Sequence, residues 1–461
     1  MSLKDRLRRL TGEEKSPAKP DTTDRAEQLS DLRRRLDAIV SRRPGNTPEF
    51  FPPGRPRPRK DMPTLQDLLT GCEECNGWGA FFRIDSLLEG TDTHGIRQLN
   101  EMETLDMEAT ALLANDPRLS DFDSRTALFL DTETTGLAGG TGTLAFLVGV
   151  GWFEADGRFL VRQLFARSFE EERAVLAALQ EIAASKRYLV TFNGKSFDTN
   201  LLATRYILNR LDNPLTALPH LDLLHPARRL FGHRISNSRL ITLEEALLKF
   251  YREDDLPGSE VPLRYFNWLR SRDPHPLLDV FRHNRLDITA LAALTVHLAG
   301  IFNSNSHCSH YDPSDLCAAA RLFLDRGRQL SACSLYEDAS RSASRPASLE
   351  ARQALSLIHK KNGHWEKAVI LWEDLLKENP NDLFAAEELA KWHEHRTGNL
   401  ERAFQLVDGI MKTFTPMPEQ QKEAWRHRFS RLQTRCEKAK QRGVDDKTGA
   451  EKRTPPDNEV G

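Results

Sequence analysis

TALFLDTETTGL, residues 126–137, is the stretch on which the reading of this 461-residue chain turns. An apolar run (Ala127, Leu128, Phe129, Leu130) leads into Asp131, Thr132 and Glu133 before Gly136 ends it, which predicts a strand buried along most of its length. Side chains two apart on a strand share a face, so Asp131 and Glu133 point the same way. Two carboxylates side by side at the end of a buried strand repel each other and are costly to desolvate. A divalent cation compensates them. Taken alone, the same pair also fits an ordinary strand end with two solvated acids.

Two further segments carry acids of the same kind. In YLVTFNGKSFD, residues 188–198, a β-rich run meets the turn signal Asn193-Gly194, and Asp198 opens a helix that continues through Leu202 and Tyr206. An acid at that place also simply suits the helix dipole. Between 277 and 298, Val280, Phe281, Leu286, Ile288, Leu291, Leu294 and Leu298 predict a long helix on which His283 and Asp287, four apart, share a face. An exposed helical ion pair is the plainer account of those two. Strands near 126–132, 143–153 and 158–166 are expected to form an antiparallel meander, followed by a helix over 169–184 and a strand over 188–193. Gly139 to Gly142 lack the spacing of a phosphate loop and read as a hairpin turn, as does Asp156-Gly157.

DTETTG, NGKSFD and HNRLD, in this order, resemble the three exonuclease motifs of the DEDD superfamily. The chain is more similar still to YprB-type ribonuclease H-like domains through residues 137–154, 220–234 and 252–270. The resemblance covers about residues 125–300, one domain's length. It implies an α/β fold, a ribonuclease H-like mixed sheet flanked by helices. It also implies two divalent ions, Mg²⁺ or Mn²⁺, held by Asp131, Glu133, Asp198 and Asp287, and a 3′-to-5′ exonuclease acting on RNA or single-stranded DNA. An all-oxygen, carboxylate-rich site suits hard ions and excludes soft ones, and in-line displacement at phosphorus uses an activated water and a stabilised leaving oxygen. His283 stands four residues before the last acid, where one subgroup carries Tyr, and is expected to act as the general base; holding water or a phosphate is its other reading. Thr134, Leu137, Asn193 and Lys195 are expected to contact nucleic acid, although Asn-Gly is also simple turn chemistry. Asp222, His225, Arg228, Arg229 and Arg234 are weaker candidates for a strand-entry groove. Two other functions use the same residues: a scaffold on a nuclease-like fold with little or no catalysis, and a structure-specific endonuclease.

Composition divides the rest. The net charge of −2 hides a basic, Pro-rich arm over 1–60, with 16 Lys and Arg against 9 Asp and Glu, expected to be largely disordered. Residues 61–124 are expected to form a small region packing on the nuclease domain. Within it Cys72 and Cys75 have the spacing of half a zinc site, with no second pair nearby. Beyond the nuclease segment, Gly327, Gly363 and Gly398 each precede an Ala by five residues and recur at intervals of 36 and 35, close to the period of tetratricopeptide helix pairs. Residues 312–415 are therefore expected to be an all-α tetratricopeptide-like array that docks a partner protein or buttresses the nuclease, and 437–461 a disordered tail. Neither a secretory signal nor a membrane-length apolar run is visible, so a cytoplasmic protein is expected.

Overall fold

The computed structural model describes residues 63–136, 142–302, 311–413 and 417–451. Leu137, the arm over 1–60 and residues 452–461 of the expected tail lie outside them. Seven strands form one sheet: β1 (Gly71–Asn76), β2 (Gly79–Leu88), β3 (Ala127–Thr134), β4 (Ala145–Phe153), β5 (Phe159–Phe165), β6 (Tyr188–Thr191) and β7 (His220–Asp222). Their spatial order is β1-β2-β5-β4-β3-β6-β7. β3 pairs with β6, and β6 with β7, in parallel; every other pairing in the sheet is antiparallel. The helices of this part with eight residues or more are α1 (Met107–Ala114), α2 (Glu172–Ala184), α3 (Asp198–Asn209), α4 (Leu224–Phe231), α5 (Val261–Ser271) and the 26-residue α6 (His275–Gly300).

Strand parity assigns the two faces. Ala127 and Phe129 of β3 enter a core with Ile288 and Leu291 of α6, whereas Leu128 and Leu130 enter another with Val175 and Leu179 of α2 and Leu202 of α3. Both neighbours of the run are thus apolar because both sides of the strand are covered. Glycines let α6 come close. A Cβ on Gly149 would stand 2.2 Å from the Asn284 side chain, and one on Gly151 would stand 2.6 Å from Ile288, so the VGVG of β4 is a notch for the helix.

The sheet extends further toward the N-terminus than the sequence suggests. β1 and β2 form a hairpin whose second strand pairs with β5, so the expected boundary at 124/125 cuts across one sheet. β1 reads GCEECN, with no β-branched residue and no clean alternation, which is why it left no strand signal. Cys72 and Cys75 are free and exposed on it. Three apart on a strand, their side chains leave by opposite faces, which is unsuited to sharing one zinc ion.

Helices α7 (Pro313–Asp325), α8 (Gln329–Ser340), α9 (Arg345–Lys361), α10 (Trp365–Glu378), α11 (Leu383–Trp392), α12 (Leu400–Lys412) and α13 (Glu419–Glu451) follow, each packed on the next. Gly327, Gly363 and Gly398 take φ of +73°, +78° and +71° in the turns before α8, α10 and α12, a left-handed conformation that costs glycine little. α7, α8 and α9 share a continuous apolar core with β3 and α6, through Cys317, Ala319, Tyr336 and Ala351. α10 to α13 are held by two cores of their own, around Trp372 and around Val407 and Trp425. α13 continues to Glu451, past residue 437 where a tail was expected. Among the described residues no helix is long and apolar enough to cross a membrane.

Candidate active site

The strand alternation that buries Phe129 under α6 turns Asp131 and Glu133 toward the same helix. Asp131 Oδ2 accepts a 2.9 Å hydrogen bond from Asn284 Nδ2, and Asn284 Oδ1 accepts one of 2.9 Å from the buried Gln163. Gly149, the β-ladder partner of both Asp131 and Gln163, leaves the room that Asn284 fills. The chain Gln163–Asn284–Asp131 fixes the carboxylate's orientation. On the other face of β3, Thr132 donates a 2.5 Å hydrogen bond to Asp198 Oδ1. Thr134 lines the adjacent groove, its hydroxyl turned back to the Gly136 carbonyl at 2.8 Å.

Asp198 opens α3 behind a turn built by its own sequence. Asn193 adopts φ +63°, which Asn tolerates, and a Cβ on Gly194 would meet the Thr191 side chain at 2.4 Å. Asp222, buried on β7, pins the turn by accepting the backbone N–H groups of Asn193 at 2.7 Å and Lys195 at 3.0 Å, and it also accepts that of Leu224 at 3.1 Å. It is a loop anchor, not a solvated acid. The Lys195 side chain is exposed and Asn193 half-buried. Arg229 and Arg234 pair with Asp325 and with the buried Asp315 of α7.

Asp287 and His283 lie on α6, both buried. Asp287 Oδ1 accepts a 2.5 Å bond from Arg252 Nη2, and the same guanidinium, 1% exposed, lies 2.7 Å from Glu244 and 3.1 Å from Asp255. Glu244 in turn lies 2.7 Å from His94 Nε2. Asp255 Oδ1 is 2.9 Å from His283 Nδ1. The other ring nitrogen, Nε2, faces Asp287 Oδ2 at 3.5 Å and Glu133 Oε1 at 3.9 Å. Glu133, His283 and Asp287 each offer an atom within 4.8 Å of the others and form a group able to hold a metal ion.

The electrostatics agree with the donor set. Loss of water, then the charges of Asp287, Glu133 and Asp198, hold the Asp131 carboxyl well above its usual range. Burial pushes Glu133 up to about 8, against the pull of His283 and with the push of Asp287. Burial likewise lifts Asp198 to about 6, against its bond from Thr132. Burial pulls His283 down, but its bond to Asp255 and the charges of Asp287 and Glu133 outweigh that and hold it at about 9. The four acids therefore feel one another, and three of them have no Lys or Arg in ion-pair reach among the described residues. Carboxylates crowded together without a Lys or Arg partner, Glu133 buried and Asp131 and Asp198 half-buried, fit divalent cations as their counter-charge.

Arg252, Asp255, Asn284 and Gln163 are the functional neighbours that sequence reasoning missed as individuals. Asn284 had a signal: it stands three before Asp287 on the helix and faces a strand with paired glycines. Arg252 and Asp255 lie in an irregular segment whose lack of periodicity gave none.

The RNase_H superfamily sequence profile matches residues 128–299, the span from β3 to the end of α6. The chain is also 31% identical over 343 residues, 74% of its length and 82% of the other's, to an uncharacterised protein of Bacillus subtilis (strain 168) called YprB. With the mixed sheet, this identity and coverage show that the chain belongs to the YprB family, built on a ribonuclease H-superfamily domain.

Proposed function

We propose that the protein is a metal-dependent nuclease that hydrolyses phosphodiester bonds from the 3′ end of RNA or single-stranded DNA. One observation carries the reading: Asp131, Glu133 and Asp198, drawn together from two segments, have no Lys or Arg in ion-pair reach among the described residues, and Asp287 joins them from a third. Two divalent ions, Mg²⁺ or Mn²⁺, would activate a water and stabilise the leaving oxygen there. The residues' own work is to hold and orient. Asn284 fixes Asp131, Thr132 fixes Asp198, and Arg252 occupies one oxygen of Asp287 so that the other faces Glu133 and His283. His283 stands at the same centre with its ring set by Asp255.

The groove beside Asp198 is lined by Thr132, Thr134, Ser196, Phe197, Asn200 and Pro262. Phe197 is 55% exposed there, an apolar face for a base to stack on, and the exposed Lys195 is in reach of solvent-side phosphates. Thr134, Leu137 and Asn193 complete the proposed nucleic-acid contacts. We read the helix pairs of 312–415 as tetratricopeptide-like, supported by their glycine period and left-handed turns, and the core that α7 to α9 share with the sheet favours the buttress role for the first of them.

Release of nucleotides from 3′-labelled RNA and single-stranded DNA, each with Mg²⁺ and with Mn²⁺, tests the reading. Blocking the 3′ end should stop release. Cutting that continues on a blocked end would instead indicate an endonuclease, and absence of cutting under all four conditions would leave only a scaffold.

A further inference from the structure

We infer that His283 is a nitrogen ligand of an ion at this centre, which makes the site selective for Mn²⁺ or a similar transition ion over Mg²⁺. The inference rests on the metal-dependent reading above and assigns one residue of it a different part. Nε2 of His283 lies 3.5 Å from Asp287 Oδ2 and 3.9 Å from Glu133 Oε1. Charge-assisted hydrogen bonds between such groups run at about 2.7–2.9 Å, so neither spacing is one. Ligands bound at about 2.1 Å to one ion are spaced about 3.0–3.4 Å apart when adjacent and about 4.2 Å when opposite; 3.5 Å lies just beyond the adjacent spacing and 3.9 Å between the two, both under the longest separation one ion bridges.

The second ring nitrogen supports the assignment independently. Nδ1 is 2.9 Å from Asp255 Oδ1, and Nε2 makes no hydrogen bond among the described residues although the side chain is buried. A histidine that gives its other N–H to a carboxylate is the usual metal-ligating arrangement, because that bond fixes the tautomer and aims the lone pair. Asp255 is itself held at 3.1 Å by Arg252, which also takes Asp287 Oδ1 and leaves Oδ2, the oxygen nearer His283, for the ion. Without an ion a proton on Nε2 answers those two carboxylate oxygens, and a bound ion takes that proton's place. A ligated imidazole has no lone pair left for a proton, so this role replaces the general-base role expected from sequence. Imidazole nitrogen suits first-row transition ions better than Mg²⁺, which prefers oxygen.

The test is pulsed electron paramagnetic resonance of Mn²⁺ bound to the full chain, with Mn²⁺ and Mg²⁺ affinities measured alongside by calorimetry. The unaltered protein should show hyperfine coupling to a directly bound imidazole nitrogen, and His283→Ala should lose it. Mn²⁺ affinity should fall roughly 10–100-fold in His283→Ala and in Asp255→Asn, the scale of a lost or misdirected ligand, with a much smaller change for Mg²⁺. Bound Mn²⁺ without nitrogen coupling, or a coupling that survives His283→Ala, overturns the inference while leaving the nuclease reading intact. Failure to bind either ion overturns both.

Discussion

Two groups of shielded acids in this molecule are handled in opposite ways: one among the helices after α6, and one at the end of β3, where Glu133 and Asp287 are buried and Asp131 and Asp198 half-buried. Among the helices after α6, buried Asp315 is met by Arg234, Glu388 by Lys360 and Lys391, and Glu394 by Arg431 and Arg435. At the sheet, Asp131, Glu133 and Asp198 face one another and Asp287 instead, and among the described residues only Asp287 of the four meets an arginine. An acid with a fixed counter-charge belongs to the architecture. One denied it keeps its affinity for a cation that comes and goes.

The contrast is open to three tests, the strongest first. Asp131→Asn should cut metal-dependent nucleotide release roughly 10²–10⁴-fold, the scale of a lost catalytic electrostatic group. Thermal melting without ions should show the same variant more stable than the parent, because a repelling charge has gone, whereas Asp315→Asn should melt earlier. If both variants melt earlier, the two kinds of acid are not different. Arg234→Met comes next: it leaves Asp315 buried with only His233 nearby and should cost about 3 kcal/mol in urea unfolding, near the low end for breaking a buried pair because Arg234 is partly exposed. A loss under about 0.5 kcal/mol would make that pair an ordinary surface contact.

The smallest effect is one of pH, with opposite signs at the sheet and at Glu388. Asp198, Glu133 and His283 hold protons more tightly in the folded chain than unfolded. The stability they add is complete below their ordinary values and drains as pH rises through about 6, about 8 and about 9. Glu388 is raised by burial but lowered more by Lys360 and Lys391, so its contribution is present above the ordinary carboxylate value and is lost as pH falls. Hydrogen exchange without ions should therefore find β3 opening more readily toward alkaline pH and α11 toward acid. Saturating Mn²⁺ should flatten the first trend and leave the second.

Much of this was legible in the chain because it depends on short-range periodicity. The apolar run before Asp131, the parity that pairs it with Glu133, and the long stripe of α6 are local patterns, and the helix turns after α6 are marked by glycines that the left-handed φ requires. What stayed hidden depends on long-range contact. Nothing near Arg252 indicates that its guanidinium reaches Asp287, 35 residues away, and nothing near Asp222 indicates that it would hold the turn around Asn193. Likewise β1 is a strand because β2 offers an edge, not because GCEECN favours one.

The apolar core shared by β3, α6 and helices α7 to α9 sets an order of events during synthesis. A nascent chain halted just after Gly300 has made every acid of the centre, yet it still lacks the part of the shared apolar core that Cys317, Ala319 and Ala351 supply. If the centre cuts as proposed, it would therefore gain its full packing only after the ribosome has released the helices beyond it.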